Sequence, residues 1–285
     1  MGEYIISPGG KAHAFLLSGV ERGQNAIEDP AFFVRQHYLD FLGREPDTDG
    51  LAFWINEILS CGGGDAQCIE TKKVNVSAAY FLSIEFQQTG YLVHRVYKAS
   101  YGNLPSAPVP VQLSEFLPDT QEIGRGVVVG QTGWETVLEN NKQAFASEFV
   151  QRARFTATYP TSMTPDAFVD TLFANAGVIP SGVDRVAAIG EFRSATTTAD
   201  VAARARALRR VAENPTLTQQ EFNRAFVLMQ YFGYLRRNPN DAPDTTFDGY
   251  NFWLNKLNSF SGNFAQAEMV KAFLGSTEYR QRFGH

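Results

Sequence analysis

The chain has 285 residues, 44% hydrophobic and 13% aromatic, which excludes a disordered or low-complexity polymer and suits one large or two ordinary packed domains. A formal net charge of −5 excludes a globally basic nucleic-acid binder, so such a partner would need a local patch. No apolar run approaches the roughly 18 residues of a spanning helix, so no membrane span is expected.

Residues 1–28 are glycine-rich, carry few periodic signals and read as an irregular N-terminal segment. Within them, residues 14–20 are too short an apolar run, too far from a basic start, for a signal peptide. The opening reads as an arbitrary boundary, so a piece of a larger protein is expected, with any signal peptide upstream.

Asp29-Pro30 is a helix start, a carboxylate cap followed by proline at the first helical position. Val34, Tyr38, Phe41 and Leu42 then share one helical face, and Gly43 can supply the left-handed end. The turn from Arg44 to Gly50 offers a proline and capping aspartates. In the helix beyond it, Leu51, Trp54, Ile55, Ile58 and Leu59 share a face. A third helix is expected over residues 68–82, then a short one over 84–88, capped by Ser83 and closed by Gly90. Cys61 and Cys68, the only cysteines, flank a glycine-rich turn. A disulfide is the preferred reading and two independent buried thiols the alternative; zinc would need four ligands.

Leu92, Val93, Val96, Tyr97 and Tyr101 mark the next helix. The proline-rich stretch 104–111 and the following Phe116-Leu117-Pro118 read as an extended surface segment, with short extended pieces near Val109 and Val127. The glycine-rich stretch 124–130 lacks the flanking strand and helix of a phosphate cradle, so a hairpin or loop is expected. Trp134, Val137 and Leu138 open a helix that runs on through Phe145 and Phe149. Thr164-Pro165 starts another, and helices are expected over 183–192 and 201–211. Arg204, Arg206, Arg209 and Arg210 form the best basic patch and read as a solvated helix face. Thr218 and Glu221 form a capping box, with Leu217 stapled to Phe222. The helix they open, 219–237, is apolar nearly all round and therefore central.

The landmarks of residues 29–90 return at the C-terminal end. An aromatic helix, a proline-aspartate turn and a tryptophan helix lead to a small residue, Phe-Leu, Ser-x-Glu-aromatic and glycine, in residues 78–90 as in 270–284. The terminal aromatics Phe86, Phe155, Phe222 and Tyr279 are spaced by 69, 67 and 57 residues (155−86, 222−155, 279−222). An all-α fold of about four tandem units is expected. They cover residues 29–90, 91–155 with its Pro/Gly-rich insertion, 156–221 and 222–285, the outer two being the clearest. Trp54 and Trp253 should occupy equivalent buried positions.

Leu-Gly-Arg-Glu-Pro-Asp, Gly-Leu-Ala-Phe-Trp and Phe-Leu-x-Ser-x-Glu-Phe, over residues 29–90 and again at 222–284, resemble the bacterial domain-of-unknown-function family 4214. That family is similar in turn to the linker domain of phycobilisomes. The resemblance implies an all-helical module of secreted or surface-exposed bacterial proteins, often calcium-associated or repeat-rich, and no settled activity.

Catalytic motifs are missing. Of the four histidines, His13, His37, His94 and His285, none sits in a zinc-binding His-Glu-x-x-His, and His37 reads as a satisfied interfacial imidazole. Asp47 and Asp49, with Asp244 and Asp248 as a looser counterpart, are weak calcium candidates. Ile58 stands where an EF-hand needs its closing glutamate, and helix capping accounts for them without metal. No cofactor is expected. The function expected is an interaction or scaffold module of a secreted or cell-surface protein, with a protein or cell-surface polymer as partner. The alternative is a polysaccharide-active enzyme or carbohydrate-binding module using a cleft between units, since scattered carboxylates can do acid–base work without a motif.

Overall fold

The structure, a computed structural model, describes residues 25–62 and 64–284. The start of the irregular segment (1–24), His13 and His285 lie outside the described residues. Among these the regular elements are all helical, and the stretches near Val109 and Val127 are loops without a strand.

The first unit forms as its caps dictate. Asp29 accepts the Phe32 N–H at 2.8 Å and opens α1 (Pro30–His37), which widens into a π-helical turn, Tyr38–Leu42, and stops at Gly43 with φ 66°. Asp47 caps α2 (Thr48–Leu59) through the Gly50 N–H, and Asp65 caps α3 (Ala66–Leu82) through the Cys68 N–H. A disulfide joins Cys61 to Cys68 and fastens the connection between α2 and α3, the Cα atoms 5.8 Å apart. Ser83 caps α4 (Ile84–Gln88). Gly90 does not close α4 as expected but begins α5 (Gly90–Tyr101), because a Cβ there would come within 3.0 Å of Phe86 and Phe116.

A second correction concerns Pro118, which lies inside a helix, α6 (Leu113–Gly124), and not in an extended segment. A proline forfeits one helical hydrogen bond, but buried Phe116, Asp119, Thr120 and Ile123 hold this helix against its neighbours. Then come α7 (Trp134–Phe149), α8 (Ala153–Thr158), α9 (Pro165–Ala176, capped by Thr164), α10 (Gly182–Gly190) and α11 (Val201–Ala212). Helix α5, buried over most of its length, packs against α9, α11 and α12 (Pro215–Gln230), while α11 also meets α7, α9 and α10. Helices of the second and third expected units thus share one bundle, and one continuous core runs through the molecule.

The expected capping box at Thr218 is also wrong. Asn214 caps α12, accepting from the Thr216 and Leu217 N–H groups, with Pro215 at the first helical position. Thr218 is already inside the helix and Glu221 turns to His94. Residues 225–234 are buried without interruption, through a second π-helical turn, Tyr231–Leu235, that ends at Arg236 with φ 55°. After a long turn come α13 (Asp248–Ser259), α14 (Met269–Leu274) and α15 (Thr277–Gln281).

The outer units match landmark by landmark. Arg44 forks onto Glu85 at 2.8 and 2.8 Å, and Arg237 onto Glu278 at 2.6 and 3.0 Å. Ser83 caps at Phe86, Ser276 at Tyr279. Gly50 lies under the Tyr38 hydroxyl and Gly249 under that of Tyr231, each too close for a Cβ. Trp54 and Trp253 hold corresponding places against Tyr80 and Phe273, but both are half-buried where full burial was expected.

The two units meet at their π-helical turns. The Phe41 ring fills the space that a side chain on Gly233 would need and lies edge-on to Tyr234 at 5.2 Å. His37 Nδ1 donates to the Phe33 carbonyl, so Nε2 accepts from the Ser77 hydroxyl at 2.7 Å, and Ser77 accepts from Tyr234. Both oxygens of Asp40 accept from one nitrogen of Arg282, Nη2, each at 2.9 Å, across 242 residues of sequence.

Candidate functional site

The acidic residues singled out as calcium candidates are spread over two turns and engaged locally. Asp47 caps Gly50 and faces Arg44, Asp49 lies in the first turn of α2, Asp244 accepts from Arg237 at 2.8 Å, and Asp248 accepts from Thr246. Among the described residues no cluster of three His, Cys, Asp or Glu side chains could hold a metal.

The arginine patch is the solvated face expected only at Arg206 and Arg210, which are partly or largely exposed. Arg204 is only 1% exposed; its guanidinium lies over Phe155 and Phe168 and donates to the Tyr159 carbonyl at 2.6 Å and to Thr198. Arg206 and Arg210 converge on Glu191, and Arg209 spans Glu139 and Glu213. The carbonyl collar and two rings let a charge enter the core; Thr198 lies just before α11, while Tyr159, Phe155 and Phe168 come from distant segments. The patch offers no free basic surface.

His94 is wholly buried, with Nε2 3.0 Å from Glu221. Burial pushes its pKa down more than Glu221 raises it, and the imidazole ties α5 to α12 out of reach of any substrate.

Carboxylates do converge in one groove of about 490 Å³ between α5, α6, α7 and α8. Glu115, Asp119 and Glu122 come from α6, Glu148 from α7, and Tyr97 and Tyr101 form the aromatic wall. Arg152 forks onto Asp119 with both bonds at 2.8 Å, also binds Glu148, and lies 4.8 Å from the Phe149 ring centre. Tyr97 donates to Asp119 at 2.9 Å. Arg154 stacks on Tyr101 at 3.8 Å and pairs with Glu115 at 3.2 Å. Glu122 alone has no partner; burial, then the charges of Glu148 and Asp119, raise its pKa. A glycosidase needs one proton donor and one free carboxylate, and here a single glutamate stands beside three that arginines hold. This cluster follows helical spacing and was legible, but Pro118 removed α6 from the reading.

Apolar groups stand exposed at matched places. Phe53 and Phe252 are 56% and 58% exposed, each edge-on to the tryptophan that follows it, with ring centres 4.8 and 5.1 Å apart. Comparison with known proteins returned no match: no family model, no curated protein and no solved structure aligns with the chain.

Proposed function

We propose that the chain is a non-enzymatic interaction module of a larger secreted or cell-surface bacterial protein. The observation that carries this is the pair Phe53 and Phe252, exposed at corresponding positions of two units. Burying a phenylalanine side chain is worth roughly 1.5–3 kcal/mol. A single exposed ring needs no account; the same position left open twice gives two equivalent docking points for a protein or a cell-surface polymer. The disulfide suits an oxidising setting, and the resemblance to family 4214 points to a surface-exposed module.

The enzyme reading has one observation in its favour, the unpaired Glu122 with its raised pKa. Incubation with a broad glycan panel separates the two. No glycan should be cleaved, and the protein should adhere to envelopes of the producing bacterium less well once Phe53→Ala and Phe252→Ala are combined. Cleavage of any glycan, abolished by Glu122→Gln, would overturn the proposal.

A further inference from the structure

A groove of about 660 Å³ lies between the proline-rich loop after α5 and the long turn before α13. Its volume is within the roughly 300–1,000 Å³ of ligand pockets. In a chain that is 19% charged, none of its fourteen lining residues is ionisable, and seven of them carry a side-chain amide or hydroxyl. The amides of Asn240 and Asn251 and the hydroxyl of Thr245 are exposed and make no hydrogen bond to the rest of the described protein. The half-buried Phe247 ring and the flat faces of Pro105 and Pro108 supply apolar surface beside them.

Both walls are additions to the repeated unit. The glycine under the tyrosine follows the left-handed residue by seven positions in unit one (50−43) and by thirteen in unit four (249−236), six more. The opposite wall is the proline-rich insertion, which has no counterpart in the outer units. Both are also held still. Leu104 and Val109 bond through their backbones at 2.9 Å, and Val109 and Val111 are buried. Arg237 donates to the carbonyls of Asn238, Pro239 and Asp241, and Asn238 accepts the Leu113 N–H at 2.8 Å, tying one wall to the other. A site fixed in advance spends little of its binding energy on ordering.

We propose that this groove binds a short segment of an uncharged oligosaccharide. The inference rests on the reading of the chain as a binding module and names a ligand class for it. Side-chain amides offer a donor and an acceptor side by side, which matches the donor–acceptor character of adjacent sugar hydroxyls. Flat apolar faces suit the C–H face of a sugar ring. A charged ligand would leave its charge without a partner in the groove. A peptide is less well served, because it draws on a strand edge or on deep apolar anchor pockets, and the described residues contain no strand.

The test is affinity electrophoresis of the whole chain through gels containing neutral polysaccharides (β-glucan, mannan, galactan) or acidic ones (alginate, hyaluronan), with a proline-rich peptide library as a separate arm. At least one neutral polymer should retard the protein. Asn251→Ala combined with Thr245→Ala should weaken that retention at least tenfold while leaving the thermal unfolding midpoint unchanged. The proposal is overturned by no retention in neutral gels, by retention indifferent to the double variant, or by retention in acidic gels or by peptides alone. Failure here with envelope binding still dependent on Phe53 and Phe252 removes only the saccharide site. Glutamate-dependent cleavage of a glycan removes the non-enzymatic reading and leaves retention sensitive to Asn251 standing.

Discussion

Units one and four are built on the same frame, the arginine–glutamate fork, the serine cap, the tryptophan and the glycine under a tyrosine, yet they differ at key positions where they meet. Asp40 corresponds to Gly233, His37 to Gln230, Ser77 to Val270 and Thr89 to Arg282, all by an offset of 193 residues. The reason is steric and electrostatic. Two related turns that meet cannot both place a side chain in the same space, so the Phe41 ring claims the volume above position 233 and only glycine fits there. The carboxylate of Asp40 then needs a cation, and the C-terminal unit supplies it from Arg282. A repeat that packs on its own copy keeps its internal contacts and gives up symmetry at the contact.

Breaking the asymmetric contact should have the largest effect. Asp40→Ala leaves the Arg282 guanidinium, 21% exposed, with the carbonyls of Gly233 and Tyr234 and the rings of Tyr279 and Phe283 but no carboxylate. Removing one partner of such a pair costs about 3–5 kcal/mol, and the two remaining acceptors place the expected loss near the lower end. Urea unfolding of the variant measures it; a loss under about 1 kcal/mol would mean that the pair does not hold the units together.

The disulfide belongs to unit one alone, so its removal tests whether that unit needs a covalent staple that its counterpart lacks. Cross-linking a loop of this size is worth about 2 kcal/mol by its effect on the unfolded chain, and Cys61→Ser with Cys68→Ser should lower stability by about that amount. Thiol titration of the unfolded, unreduced wild type should find no free thiol.

The last contrast, one of pH dependence, separates His37 from Gln230. Burial, with help from Arg282 and Lys73 and against the Phe33 carbonyl, pushes the His37 pKa down from 6.5 to about 3. Between those values the unfolded chain holds a proton that the folded chain refuses. The stability tied to His37 is therefore complete above pH 6.5 and is lost as pH falls toward 3, at up to about 1.4 kcal/mol per pH unit. His37→Gln, which copies unit four, should flatten stability-versus-pH curves in that window. An unchanged slope would assign the acid sensitivity elsewhere.

Local chemistry was legible in the sequence and distant pairing was not. Asp29-Pro30, Asp47, Ser83 and Thr164-Pro165 were read as helix starts, and each caps its helix in the structure. Asn214-Pro215 carries the same signal as Asp29-Pro30, and it prevails over the weaker box at Thr218, four residues on. Pro118 was weighed as a breaker, although the contacts of Phe116 and Ile123 outweigh one lost hydrogen bond. Arginine is ordinarily a surface residue, and the Tyr159 carbonyl and the Phe155 and Phe168 rings that receive Arg204 lie on segments far away in sequence. The neutral groove was half visible, as a proline-rich break. Its other wall needed the lengths of two related turns compared.

The bond from Asp40 to Arg282 also sets an order of events during synthesis. Its partners are 242 residues apart, so at ~5–20 residues per second the ribosome takes roughly 10–50 s to deliver the second after the first. For most of that interval Phe41, Phe81 and the hydroxyl of Ser77 wait for Tyr234, with which all three later make contact. The N-terminal helices emerge first and are finished last, and until the far end arrives their apolar faces are the part of the nascent chain that a chaperone would hold.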